Sequence, residues 1–383
     1  MTVYLDNSAT TRPSPEVVRR VEECLRGGWY NPSALYRPAL EAQKAVEEVR
    51  GLCLAAAGVR EGKVIFTAGG TEADNLALLG ALKRKRTPAK VLLSAVEHPA
   101  VSACAEEITR LGFRVEEIPV GPDGRVDLNR LKEMMTPDTA LIAVMQVNNE
   151  TGAIQPLREI ASLRDRYCPE AVFHVDGVQG FLRVPVLLSD WGVQSYALSG
   201  HKIHAVKGIG ALVLTRGAGV RPLIFGGGQE EGLRSGTENT PGIAALGEAI
   251  RTWDPAAGDR MRELKIRLWQ GVLREIPEAL VNGPAPDSAE AAPHILNLAL
   301  PPVRSQTMLF ALEGDGIYVS AGSACASRKQ KISPVLRAMG VPTLRADCSL
   351  RFSLCPETTA EEIDYTAERV AAHFHLLKKY VRR

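Results

Sequence analysis

Two apolar runs in this 383-residue chain end in side chains that can do chemistry. Val172-Phe173-His174-Val175 leads into Asp176, and Tyr196-Ala197-Leu198 leads into Ser199-Gly200-His201-Lys202. Both runs read as buried strands of a parallel sheet. The carboxylate and the amine then stand at strand carboxyl ends, the edge where open α/β sheets bind ligands. A lysine and an aspartate so placed suit pyridoxal phosphate, which needs an amine for a Schiff base and an acid to keep its pyridine nitrogen protonated. Taken singly, each has a plainer reading: a surface lysine, and an aspartate capping the next helix. A third feature changes that balance. Ala68-Gly69-Gly70-Thr71 joins a strand-like run, Val64-Ile65-Phe66-Thr67, to a helical pattern. It offers free backbone N–H groups and a hydroxyl to an anion. No Gly-Lys-[Ser/Thr] follows, which excludes a nucleotide P-loop. Beside a candidate Schiff-base lysine, the turn reads as a phosphate cradle.

The thiols are the other reactive groups. Seven cysteines, at 24, 53, 104, 168, 325, 348 and 355, make an odd number with no Cys-x-x-Cys pair. That argues against a disulfide framework or a zinc ribbon and for free thiols in a reducing compartment. Cys325 is the candidate nucleophile. The small residues of Ser320-Ala321-Gly322-Ser323-Ala324 precede it, and Arg328, Lys329 and Lys331 follow. This pattern predicts an accessible loop whose cations favour the thiolate. Cys24, Cys53 and Cys104 fall in helical patterns, Cys168 precedes Pro169 at a helix end, and Cys348 and Cys355 bracket the run around Arg351. All six read as small hydrophobes. His201 and His204 lie three apart, and His373 and His375 two apart, with no third ligand at a metal-binding spacing, so no metal ion is expected.

These groups must be held by a scaffold. At about 150 residues per domain, the length predicts two to three domains. From about residue 40 to 250, helical periodicity (Ala42, Ala45, Val46, Val49, Leu52, Ala56) alternates with strand-like runs at Val91–Leu93, Leu141–Val147, Val172–Val175, Tyr196–Ser199 and Ala211–Leu214. This is the pattern of a mainly parallel sheet covered on both faces. Beyond 251 the texture changes: a Pro/Ala-rich stretch near Pro284–Pro293 precedes a run at Ile295–Leu300, and Pro356 to Arg383 reads as a long helix. The expected division is a large cofactor domain over 14–250 and a small α+β domain from 1–13 and 251–383. Lys+Arg total 46 and Asp+Glu 44, a net charge of +2, so neither nucleic acid nor a membrane surface is an expected partner. No secretory signal and no run of 18 apolar residues is present, and the expected location is cytoplasmic.

In these segments the sequence resembles the NifS/IscS-type cysteine desulfurases of the class V aminotransferase family. The matching stretches are Tyr4–Thr11, Thr67–Asn75, Glu97-His98-Pro99, Val147–Gly152, His174–Gln179, Ser199–Lys202, Arg234–Thr237, Gly322–Cys325 and Arg351–Leu354. The resemblance implies the type I fold of pyridoxal-phosphate transferases, with a seven-stranded, mainly parallel sheet. It also implies individual roles. Lys202 is then the Schiff-base lysine and proton carrier, Asp176 the partner of the pyridinium nitrogen, Gln179 a hydrogen-bond partner of the ring oxygen, and His98 the group stacked on the ring. Gly70, Thr71, Ser199 and His201 bind the phosphate, with Thr237 reaching across a homodimer. Asn149 contacts cofactor and substrate, and Arg351 takes the carboxylate of L-cysteine. Cys325 carries the sulfur as a persulfide to an acceptor protein, such as an iron–sulfur scaffold or a tRNA-thiolation enzyme. Selenocysteine lyase, cysteine-sulfinate desulfinase or transaminase chemistry on the same scaffold is the alternative, with a non-catalytic scaffold behind it. The chain departs from the family pattern at Tyr36, Ala39, His204-Ala205-Val206, Glu231 and Cys355.

Overall fold

A computed structural model describes residues 1–85, 88–321 and 332–380. The first strand, β1 (Val3–Tyr4), is separated by two helices from the seven strands of the main sheet. These are β2 (Gly62–Thr67), β3 (Lys90–Ser94), β4 (Arg114–Ile118), β5 (Thr139–Ala143), β6 (Val172–Asp176), β7 (Ser195–Ser199) and β8 (Gly210–Thr215). Their spatial order is β2-β8-β7-β6-β5-β3-β4. All pairs from β7 to β4 are parallel, and β8 runs antiparallel to both its neighbours.

The continuous apolar runs have a direct physical cause: both faces of the sheet are covered. Tyr196 and Leu198 of β7 enter one core with Phe66, Phe173 and Val213. Ala197, between them, points into a second core with Leu141, Ala143 and Leu212. The helix Gly70–Leu82 packs on that second face and is buried along most of its length. On the other side lies the helix Arg37–Ala56. It ends before Gly58, whose φ of +62° suits glycine, and where an added Cβ would lie 2.8 Å from the Leu187 Cα.

A third core lies outside the main sheet. It is built on β9 (Leu280–Val281), β10 (Ile295–Ala299), β11 (Ile317–Tyr318) and β12 (Ser349–Ser353). β10 is the centre of an antiparallel sheet ordered β12-β10-β9, and β1 pairs with β11 in parallel. Val3 and Leu5 thereby join Leu298, Phe352 and Phe374 in one cluster. Among the described residues, no helix is long and apolar enough to cross a membrane.

Two expected elements are shorter than their patterns. The run Leu141–Val147 is strand only to Ala143; beyond it the chain bends over the sheet edge, where Asn148 Oδ1 accepts from the backbone N–H groups of Glu150 and Thr151. The C-terminal helix begins at Ala360 rather than near Pro356. Thr359 caps it, and the Glu362 side chain answers in a capping box.

Candidate active site

Asp176 is the last residue of β6 and Ser199 the last of β7, so both reach the carboxyl edge of the sheet. Lys202 follows in the single turn Gly200–Lys202. A cavity of about 600 Å³ opens at this edge. Gly70, Thr71, His98, Asn149, Asp176, Gln179, Ser199, His201, Lys202 and Arg351 all line it. Residues from six separate stretches of sequence meet here: five lie at or after the carboxyl ends of main-sheet strands, and Arg351 comes from β12 of the smaller sheet.

The inner end is acidic and buried. Asp176 accepts from the Val178 N–H at 2.9 Å, and burial raises its pKa while His98 and Lys202 pull it down. Asp74 and Glu97 stand close by, and both are pushed well up by burial and by the charge of Asp176. Glu97 uses one oxygen to accept from the Met145 N–H at 2.7 Å, and its Oε2 is buried without a hydrogen-bond partner. Asp74 meets His174 Nε2 at 3.1 Å, and His174 Nδ1 meets Ser195 Oγ at 2.9 Å. Burial drives the His174 pKa down to about 3, so the ring is neutral. His98 caps the turn Pro99–Ser102, its Nδ1 accepting from the Ala100 N–H at 3.1 Å. That bond leaves the ring proton on Nε2.

Lys202 is held by the N-terminal segment. Its Nζ donates to the carbonyls of Ser8 at 2.6 Å and Ala9 at 2.8 Å. Gln179 Nε2 donates to the same Ser8 carbonyl at 2.9 Å, and the Arg183 guanidinium donates to the Lys202 carbonyl. The sequence singled out Tyr4–Thr11 only as a matching stretch. Nothing in its residue types announces that its backbone cradles the amine. Asp74 and His174 are not singled out by the sequence because their apolar surroundings read as helix and strand interior, and Glu97 appears there only within the matching stretch Glu97-His98-Pro99.

The outer end is built from small residues and neutral donors. Gly70 opens the helix Gly70–Leu82, and a Cβ there would sit 2.5 Å from Val178 Cγ2, so only glycine lets the helix start approach this wall. Ser199 is buried behind it, and Thr71 is exposed at its lip. His201 Nδ1 lies 3.1 Å from Thr10 Oγ1, and burial, reinforced by Lys202, Lys207 and Arg183, lowers the His201 pKa to about 4.

This set of groups fits pyridoxal phosphate. An acid, an amine and a phosphate cradle open on one cavity. Gln179 Oε1 and Ser8 Oγ are buried there without partners, two polar atoms that a polar ring substituent would satisfy. At the cavity wall, Arg351 is 2% exposed, with Nη2 donating to Asp6 at 2.6 Å and Nη1 to the Asn149 carbonyl at 2.9 Å. Each Nη keeps a second hydrogen, so the guanidinium is oriented with donors to spare.

Among the described residues, one predicted site residue is not brought to this cavity. Thr237 is exposed beside a separate hollow lined by Phe66, Gly208 and Glu230. Cys325, with Arg328, Lys329 and Lys331, lies outside the described residues. The chain enters that stretch after Ser320, which exchanges backbone hydrogen bonds with Arg351, and leaves it before Ser333, which donates to Glu150 at 2.6 Å. Pro334 and Val335 line the cavity itself. Burial raises the Cys53 pKa to about 12, Cys104 and Cys355 to about 11, and Cys168 and Cys348 also upward. Such thiols stay protonated near neutral pH. His373 is absorbed by Asp315 at 2.6 Å.

The aminotransferase class-V family model matches residues 3–366. A cysteine desulfurase of Trichormus azollae is 39% identical over 370 residues, covering 96% of this chain and 91% of the relative. The cysteine desulfurase IscS of Clostridium botulinum is 37% identical, covering 96% and 92%. A solved NifS-like protein superposes with a TM-score of 0.90 at 32% identity, covering 98% of this chain and all of that one (100%).

Proposed function

The chain belongs to the class-V aminotransferase family, and we propose that it is a pyridoxal-phosphate-dependent cysteine desulfurase, converting L-cysteine to L-alanine and passing the sulfur to an acceptor protein. The observation that carries this reading is the convergence of Lys202, Asp176, Gln179 and Arg351 on one cavity at the sheet edge. Bound pyridoxal phosphate supplies an electron sink for the substrate carbons. Lys202 would hold it and then move protons at those carbons, and Asp176 would keep the pyridine nitrogen protonated. His98 would lie against the ring, and Gln179 would pair with the ring oxygen. Gly70, Thr71, Ser199 and His201 would bind the phosphate, with His201 acting as a neutral donor.

Arg351 would take the substrate carboxylate, and Asn149 would contact both ligands. A charge-assisted fork of this kind fixes orientation as well as binding. The Cys325 thiolate would attack the substrate sulfur. An S–S bond forms, the C–S bond breaks, its electrons go to the substrate carbon, and a proton from Lys202 completes alanine. The two ends of the Cys325 stretch, tied to Arg351 and Glu150, support delivery of the thiol to this cavity.

We further propose a homodimer in which Thr237, outside its own cavity, reaches the phosphate of the partner subunit. The division into domains over 14–250 and over 1–13 with 251–383 is supported by Val3 and Leu5 packing with the C-terminal core. The proposed location is the cytoplasm, and the acceptor is of the iron–sulfur scaffold or tRNA-thiolation type. Alanine formation and transfer of labelled sulfur from cysteine, each measured with Cys325→Ala and Lys202→Ala, test the reading. Lys202→Ala should lower alanine formation by about 10³-fold or more. Cys325→Ala should abolish transfer, and transfer at the wild-type rate would rule out the persulfide.

A further inference from the structure

The sequence alone finds no third ligand near His204, and the fold supplies two. His204 follows Lys202 by two residues, while Cys355 and Glu357 lie just beyond β12. One ligand atom from each comes within 4.8 Å of the other two. We propose that His204, Cys355 and Glu357 form a binding site for a borderline-soft divalent cation of the zinc class, with solvent completing the coordination.

Four observations carry this. The first is the state of the imidazole. His204 Nδ1 lies 2.9 Å from the Arg12 carbonyl, so it carries the ring proton and leaves a lone pair on Nε2. Nε2 is buried and has no hydrogen-bond partner, and the side chain is only 9% exposed. An uncompensated buried nitrogen is costly, and this one faces a carboxylate oxygen of Glu357 at 3.7 Å, too far for a hydrogen bond. The second is the donor set. Imidazole, thiolate and carboxylate together favour zinc over the hard cations, which take oxygen donors. Zinc–ligand bonds of about 2.0–2.3 Å put neighbouring donors roughly 3.3–3.7 Å apart. Side-chain rotations closing the set by about an ångström would therefore suffice.

The third is access and charge. Glu357 is exposed, Cys355 is half-buried and His204 is buried, so the site opens to solvent on one side only. The Arg183 guanidinium is a nearby positive charge, but a thiolate and a carboxylate together outweigh one guanidinium. Ligation would take Cys355 as the thiolate, so binding an ion releases a proton to solvent. The fourth is backbone conformation. His204 has φ of +66°, the left-handed region, which histidine, asparagine and aspartate enter more often than other side chains but still uncommonly. This conformation sets the direction in which the ring leaves the turn after Lys202. His204 and Cys355 are also two of the positions at which this chain departs from its family's pattern. An ion here would tie the turn carrying Lys202 to the strand carrying Arg351.

The test uses the full chain loaded with pyridoxal phosphate and carrying Cys325→Ala, so that the other candidate thiol cannot bind metal. Cobalt(II) is the probe, read as difference absorption against the metal-free holoprotein. One equivalent should give the visible bands of a four-coordinate ion and a thiolate-to-metal charge-transfer band. Cys355→Ser should remove the charge-transfer band, and His204→Asn, which tolerates the left-handed backbone, should weaken binding by about 10-fold or more. Glu357→Gln changes only an exposed carboxylate and should also weaken binding by about 10-fold without loss of fold. A spectrum no different from free aqueous cobalt, or one unchanged by Cys355→Ser, would overturn the proposal.

Discussion

The two ends of the active-site cavity handle charge in opposite ways. The inner end gathers three carboxyl groups, Asp74, Glu97 and Asp176, under nearly complete burial. The outer end has no carboxylate on its cradle residues and offers an anion backbone N–H groups, hydroxyls and a neutral imidazole. At the inner end the low-dielectric surroundings magnify every charge, so a single change in protonation or residue alters the state of the whole group. At the outer end many modest donors would share the work, and each would be individually replaceable. A rigid, costly region and a forgiving one thus sit across the same cavity.

The largest effect that would sharpen this contrast is expected for Asp176→Asn. Steady-state alanine formation should fall by about 10²-fold or more, because an amide cannot hold a pyridine nitrogen protonated. A loss of less than threefold would mean that the inner end does not control the electron sink. Arg351→Lys comes next, because it replaces a fork by a point charge. The KM for cysteine should rise by about 10- to 100-fold, the worth of a charge-assisted pair, and an unchanged KM would free Arg351 from the substrate.

A smaller effect concerns stability against pH. His174 has a pKa of about 3 in the folded protein, against about 6.5 unfolded. Between those values the unfolded chain takes up a proton that the native state refuses, so stability is lost as pH falls below 6.5 and is unaffected above it. Denaturant unfolding of wild type against His174→Gln should show wild type losing about 2 kcal/mol relative to the variant between pH 7.5 and 5. Parallel pH profiles would mean that His174 takes up its proton in the folded protein as readily as in the unfolded chain. The smallest effect is expected at the outer end: Ser199→Ala should weaken retention of the cofactor by about 10-fold or less in equilibrium dialysis. A loss as large as that of Asp176→Asn would erase the distinction between the two ends.

Much of this was legible before any coordinates, because parallel sheets force a visible pattern. Buried on both faces, β6 and β7 are dominated by apolar residues, broken only by the buried pair His174 and Ser195, and their last residues, Asp176 and Ser199, mark the sheet edge. What stayed hidden has two causes. Backbone groups carry no residue signature, so the carbonyls of Ser8 and Ala9 that receive Lys202 could not be read from side-chain types. Long-range neighbours carry no spacing signature either. Asp74 meets His174 across 100 residues, and His204 meets Cys355 and Glu357 only because the end of β12 returns beside the lysine turn. The overlong expectation for Leu141–Val147 has a related cause, since apolar residues continue past the last strand pairing where the chain bends over the cavity.

The segment that holds Lys202 has a consequence for how the protein is made. Asn7 Nδ2 donates to the Ser353 carbonyl at 2.9 Å, two residues 346 apart in sequence. β1 likewise waits for β11 before it can pair. During synthesis the carbonyl cradle of the amine leaves the ribosome long before the strands that fix it in place. The main sheet can assemble while that segment is still loose, so the cavity becomes complete only near the end of translation. Maturation of the active site is thereby coupled to completion of the chain, and a truncated product would carry the sheet and its lysine without the finished pocket.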